Sequence, residues 1–179
     1  TTPLAPRRPP SAPPRFDSAG WVDELFWERP SVETWMRLRG TTKESRRVQL
    51  RHRLADEGCW LLLVEILVAE RKHREALAKF ARVKERDERA LRVAEQIADG
   101  VAEKKPRGAV ALYAEVADVL CQRDQVQDHE RAVELIVRGR DALAQAGHSV
   151  LAKRYLDEFR KRHAEKQSIT AMLDARPRE

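Results

Sequence analysis

Large apolar side chains recur every three or four residues through most of the chain after residue 18, and no segment alternates apolar with polar residues. The recurring spacing places the apolar side chains on one stripe of an α-helix, whereas alternation would place them on one face of a β-strand. Several of the breaks between periodic segments contain Gly or Pro. The sequence therefore predicts an all-α protein without a sheet.

The periodic segments predict a series of helices joined by short turns. Gly58, Gly100 and Gly147 are expected to end helices, and Ser31 and Ser149 are expected to cap helix N-termini through their hydroxyls. Because hairpin follows hairpin, we expect a short α-solenoid, with an irregular helical bundle as the alternative. The predicted helices are residues 19–27, 31–40, 42–57, 60–69, 73–86, 88–99, 107–123, 128–146 and 149–173.

The N-terminal segment differs from the rest of the chain, because six of the nine prolines lie in the first fourteen residues. Proline supplies no backbone donor for a helix or a sheet. We therefore predict a disordered Pro-rich linker over residues 1–18, a helical-repeat domain over 19–174 and a flexible tail over 175–179. A PxxP ligand for another domain is the alternative for the linker. The chain begins with Thr, so we leave open that it is a fragment of a longer protein.

The chain is basic, with a formal net charge of +6 at pH 7. Arg7, Arg8 and Arg15 supply +3 of this charge, because residues 1–15 contain no acid. The remaining 164 residues therefore hold +3 among many interleaved acids. This distribution favours a solvated surface of mixed charge, with contact to nucleic acid or to another acidic partner as the alternative.

The apolar segments and the cysteines indicate a cytoplasmic protein. The longest apolar run, residues 60–64, is stopped by Glu65 and is too short to span a membrane. Cys59 and Cys121 are far apart in sequence, each within a predicted helix, and no secretory leader precedes them. We expect both thiols to be reduced and to fill the core.

One predicted hairpin has a familiar pattern. Residues 59–83 resemble a single tetratricopeptide repeat, a helical hairpin of about 34 residues. The matching positions are Trp60 and Leu63 on the first helix and Ala76 and Phe80 on the second. The resemblance implies that Ala76 lets the two helices approach closely while Trp60 and Phe80 pack against each other. The chain departs from the repeat's Gly, Tyr and Pro at Val64, Leu67 and Glu88.

A wider resemblance covers most of the predicted helical domain. The segments that carry it are Arg29–Trp35, Leu62–Leu67, Glu75–Leu77, Ala111–Tyr113 and Tyr155–Lys166. They resemble the C-terminal helical region of bacterial SWIM zinc-finger family proteins. In that family the helices follow a zinc module with the pattern C-x-C…C-x-H, which this chain lacks. The resemblance therefore implies a helical region attached to a DNA-binding system, without the family's metal or nucleic-acid contacts.

The sequence contains no pattern that is typical of an enzyme. The five histidines and two cysteines are scattered, so they do not offer the four close ligands of a zinc site. The glycines are spread singly and form no phosphate-binding loop. We therefore predict a protein that is not an enzyme, with no catalytic residue, no cofactor and no metal site.

The predicted terminal helix is the strongest candidate contact surface, because it carries a cluster of basic residues. Such a face can neutralise phosphates without reading base sequence. The interleaved acids Asp157, Glu158 and Glu165 favour a solvated face instead, and His163 is expected at the edge of the core four residues after Phe159. The basic residues are Lys153, Arg154, Arg160, Lys161, Arg162 and Lys166.

These observations favour a non-catalytic helical-repeat scaffold that binds a protein partner in a groove between hairpins, and its attachment to a DNA-binding system is part of this expectation. The alternative is a direct nucleic-acid-binding module that uses the basic terminal helix. The partner, the groove residues, the pathway and the oligomeric state are left open at this point.

Overall fold

The computed structural model describes residues 24–175, so the predicted linker over 1–18 and the tail residues 176–179 lie outside the described part. Helices dominate these residues and no strand occurs among them, which confirms the all-α prediction. Contacts between residues divide the chain at residues 53 and 54 into two compact units.

The first unit contains a short helical stretch at residues 24–28, helix α1 (Val32–Arg39) and most of α2 (Glu44–Asp56). Ser31 caps α1 as predicted, since its side chain accepts a hydrogen bond from the Thr34 backbone N–H at 3.1 Å. The core of this unit is aromatic. Phe26 and Trp35 are buried and their ring centroids lie 5.8 Å apart in an edge-to-face arrangement.

The second unit is a series of hairpins in which every helix from α3 onward packs against the next one. Helices two positions apart also pack, namely α3 with α5 and α7 with α9. This neighbour pattern is that of stacked antiparallel hairpins. The helices are α3 (Trp60–Ala69), α4 (His73–Phe80), α5 (Glu88–Val101), α6 (Pro106–Cys121), α7 (Val126–Gln145), α8 (Ser149–Arg162) and α9 (Gln167–Asp174).

Two of the three predicted glycine ends are confirmed. Gly58 and Gly147 have φ of 74° and 79°, the left-handed conformation that ends many helices and that glycine adopts without a steric cost. Gly100 does not end its helix. α5 continues to Val101, which is buried, and a side chain on Gly100 would lie 2.3 Å from the His73 ring.

Three predicted boundaries are wrong. The helix predicted over 73–86 ends at Phe80: residues 83–87 have no regular secondary structure, and the Asp87 carboxylate caps α5 by accepting from the Ala90 N–H at 2.8 Å. The terminal helix predicted over 149–173 breaks after Arg162 and restarts at Gln167, which brings Ile169 into the core. Ser149 is the first residue of α8 and makes no capping bond.

The two cysteines differ in environment. Cys121 is buried in the last turn of α6, as expected for a core residue. Cys59 is not inside a helix; it is the N-cap residue of α3 and is half-buried. The prediction that both thiols lie inside helices is therefore wrong for Cys59, because the turn at Gly58 delays the start of α3 to Trp60.

Candidate interaction surfaces

The basic residues predicted as a contact surface are largely neutralised by carboxylates. Arg154 on α8 donates to Glu158 at 2.7 Å, within the same helix. Arg160 donates to Asp174 on α9 at 2.8 Å, and Lys166 lies 3.6 Å from Asp124. Arg162 forms an ion pair with Asp118 on α6. The exposed Lys153 and Lys161 form no ion pair within residues 24–175.

Asp118 on α6 holds the end of α8 in place. Its carboxylate accepts from the Arg162 guanidinium and lies 2.9 Å from His163 Nε2. The His163 ring packs on Phe159, with centroids 4.6 Å apart, and is mostly buried, as expected for a residue at the edge of the core. One turn later, burial raises the pKa of Cys121 to about 11, so this thiol stays protonated and unreactive near neutral pH.

Ion pairs link the first helices of successive hairpins. Arg89 on α5 donates two hydrogen bonds to Glu65 on α3, both at 2.5 Å. Arg131 on α7 donates to Glu88 at 3.1 Å and also to Glu95, both on α5. Hydrogen bonds from the guanidinium groups of Arg123 and Arg131 lower the pKa of Glu88, whereas burial raises the pKa of Glu95. These ion pairs hold α5 to α3 and α7 to α5 on one side of the second unit.

A cleft of about 640 Å³ lies between α7 and α9, at the end of this series of helices. The exposed Glu130 carboxylate forms no ion pair within residues 24–175, while Glu134 accepts from Arg138 at 2.5 Å and stays half-exposed. The half-buried Met172 adds apolar surface. We call this site the α7–α9 cleft; its lining residues are Gln127, Glu130, Arg131, Val133, Glu134, Met172 and Ala175.

A buried histidine fixes the geometry of the two helices that form this cleft. His129 on α7 donates from Nε2 to the Arg123 carbonyl oxygen at 2.8 Å, because a carbonyl can only accept. Its Nδ1 makes a second hydrogen bond, with the Ser168 hydroxyl of α9 at 2.9 Å; in the neutral imidazole this nitrogen is the acceptor. The first bond joins α7 to the turn before it and the second joins α7 to the start of α9, so the two helices that line the cleft are tied together.

The residues predicted for the hairpin core lie on α3 and α4. Ala76 is fully buried and Phe80 is 2% exposed; Leu63 is also buried, while Trp60 is half-buried. The guanidinium of Arg86 lies 4.8 Å from the centroid of the Phe80 ring. A direct packing contact between the Trp60 and Phe80 rings stays a prediction.

The described residues contain no arrangement of three or more His, Cys, Asp or Glu side chains that would hold a metal ion. Among the same residues, no helix has the length and apolar character needed to cross a membrane.

Comparison with models of protein families, with curated proteins and with solved structures finds no match to this chain. The resemblances to the tetratricopeptide repeat and to the SWIM-associated helical region therefore stay predictions.

The α7–α9 cleft was not predicted from the sequence. The cleft exists because the terminal helix breaks at residues 163–166 and α9 turns back onto α7. Neither a proline nor a glycine marks this break in the sequence. Its causes are contacts to residues far away along the chain, such as the one between His163 and Asp118.

Proposed function

We propose that this chain is a non-catalytic helical-repeat scaffold that binds a segment of a protein partner in the α7–α9 cleft. The observation that carries the proposal is an open cleft lined by the apolar Met172 and by Glu130, whose carboxylate forms no ion pair with the other residues of 24–175. Helical-repeat proteins commonly bind partners on the surfaces that their stacked hairpins create. A tetratricopeptide-like first hairpin, a bacterial SWIM-associated context and a cytoplasmic location are parts of the same proposal.

The cleft has the chemistry of a site for a short peptide segment. Its volume lies in the range of about 300–1,000 Å³ that is common for binding pockets, so it accommodates a few side chains and not a folded domain. Glu130 offers a carboxylate for a Lys or Arg side chain, and the Met172 thioether adapts to apolar groups of different shape. We therefore expect the partner segment to carry a basic residue next to an apolar one.

The alternative function, nucleic-acid binding through α8, has less support. Four of the six predicted basic residues, three on α8 and Lys166 just before α9, are paired with carboxylates. Arg162 and Lys166 are directed toward α6 and the loop that follows it. Binding phosphates with these four side chains would require breaking their ion pairs first.

The proposal predicts which peptides the chain selects from a random peptide library displayed on phage. We expect wild-type protein to enrich sequences with Lys or Arg beside an apolar residue. Glu130→Lys places a like charge against that basic residue, so synthetic versions of the enriched peptides should bind this variant about tenfold or more weakly, a loss of about 1.4 kcal/mol. Fluorescence anisotropy measures the affinities.

Glu103→Lys is the matched control, because Glu103 is also exposed and lies outside the cleft. This variant makes the same change in net charge and should bind the peptides like wild type. Equal weakening by both substitutions would show that only the overall charge matters and would contradict the proposed site. A wild-type selection that enriches no peptide would contradict the proposal as well.

A further inference from the structure

The positive charge of the described residues is concentrated in the first unit. Residues 24–53 contain eight Lys or Arg against four Asp or Glu, a net charge of +4. Residues 54–175 contain 22 of each, a net charge of zero. The excess is therefore located on α1, α2 and the segments beside them, and the α7–α9 cleft belongs to a neutral unit.

The basic side chains of the first unit fall into two groups. Arg47 and Arg51 are only 18% and 13% exposed and both pair with Glu44, so they stabilise α2 itself. Arg46 is half-buried as well and donates to Gln49 at 2.7 Å. The other five basic residues lie on the surface: Arg37 is 77% exposed and forms an ion pair with Glu33 one turn earlier. Arg29, Arg39, Lys43 and Arg53 are exposed as well.

Arginine supplies most of this charge, since seven of the eight basic residues in 24–53 are Arg. The planar guanidinium matches the geometry of phosphate oxygens and binds them with two hydrogen bonds. Arg53 also lies over the Trp27 ring, 4.3 Å from its centroid, which holds this guanidinium in a defined place at the surface. Composition and geometry thus favour phosphates over a generic acidic partner.

We propose that the exposed basic side chains of the first unit, on and beside α1 and α2, form a nucleic-acid-binding surface that contacts backbone phosphates of a duplex without reading base sequence. Phosphate contacts of this kind supply the affinity of non-specific binding and position a protein on DNA. The surface belongs to the first unit and the α7–α9 cleft to the second, so the scaffold binds DNA with one unit and a protein segment with the other. The peptide experiment and the DNA experiment therefore succeed or fail independently.

The test measures how duplex binding by the full chain depends on salt. Fluorescence anisotropy of a labelled DNA duplex gives the affinity of wild type and of Arg39→Gln/Lys43→Gln at several salt concentrations. Each phosphate contact contributes about 0.9 to the slope of log affinity against log salt, so we expect the double variant to flatten this slope by about 1.8. Binding should be equally reduced for duplexes of unrelated sequence.

Lys153→Gln/Lys161→Gln is the matched control, because it also removes two exposed positive charges, from α8. We expect its slope to equal that of wild type. The charge-preserving exchange Arg39→Lys/Lys43→Arg should likewise keep the wild-type slope, which separates loss of charge from loss of folding.

Three results would overturn this proposal. The first is a slope that flattens equally in the α8 control, since the charge of the whole chain would then be responsible. The second is duplex binding that is absent or independent of salt. The third is displacement of the duplex by poly-glutamate as efficiently as by unlabelled duplex at equal charge concentration, which would assign the surface to an acidic protein.

Discussion

Phe80→Ala is expected to lower the free energy of unfolding by about 3–5 kcal/mol, the usual cost of emptying a buried aromatic site. Phe80 is 2% exposed at the end of α4, and the Arg86 guanidinium covers its ring. Removal of the ring leaves a cavity that the surrounding backbone closes only in part. Urea unfolding followed by far-UV circular dichroism measures the change.

Lys79→Ala is the control for this substitution, since Lys79 is the exposed neighbour of Phe80 on the same helix. Its expected effect is within about 0.5 kcal/mol, as for most surface substitutions. If the Phe80 variant unfolded at the same urea concentration as the Lys79 variant, the α3–α4 hairpin core would be wrongly assigned.

Gly139→Ala is expected to destabilise the chain by about 1–3 kcal/mol, the range for overpacking a core. Gly139 is buried on α7, and a methyl group there would lie 2.9 Å from Tyr155 Cε1 and 3.0 Å from its hydroxyl oxygen. Tyr155 is on α8, so the close approach of these two helices depends on the missing side chain. Thermal unfolding of wild type and variant measures the loss.

In a Tyr155→Ala background, Gly139→Ala should stabilise the chain instead of destabilising it. Without the ring the methyl group has space, and Ala is favoured over Gly inside a helix by about 1 kcal/mol. A double-mutant cycle therefore gives a large coupling energy between the two positions. A destabilisation of equal size in both backgrounds would contradict the packing of Tyr155 on Gly139.

The helical fold could be predicted from patterns among residues that are close together in the sequence. The spacing of apolar residues predicted the all-α class, Ser31 was recognised as a cap, and Gly58 and Gly147 were recognised as helix ends. These features depend on residues within a few positions of one another. The wrong boundaries depend on distant contacts or on competing caps, as at Asp87, which ends the irregular segment after Phe80 by starting α5.

The contact surfaces were predicted less well, for two different reasons. The partners of the basic α8 residues could not be found from the sequence, because Asp118 lies 44 positions before Arg162 and meets it only through the packing of α6 and α8. The charge excess of residues 24–53 was visible in the sequence. Counting the net charge of residues 16–179 as one sum hides this excess, because the sum combines the basic residues 24–53 with the neutral residues 54–175.

The chain contains two methionines, and they lie on the two proposed surfaces. Met36 is on α1 and is 41% exposed, next to Arg37, while Met172 is on α9 and lines the α7–α9 cleft. In protein with isotope-labelled methionine methyl groups, each surface therefore has its own NMR signal. Met36→Leu assigns the two signals.

Titration of this labelled protein with a peptide selected from the library is the most direct test of peptide binding in the cleft. We predict that the Met172 methyl signal shifts in proportion to the bound fraction and that the Met36 signal stays in place. Saturable peptide binding that leaves the Met172 signal unchanged would contradict the proposed function.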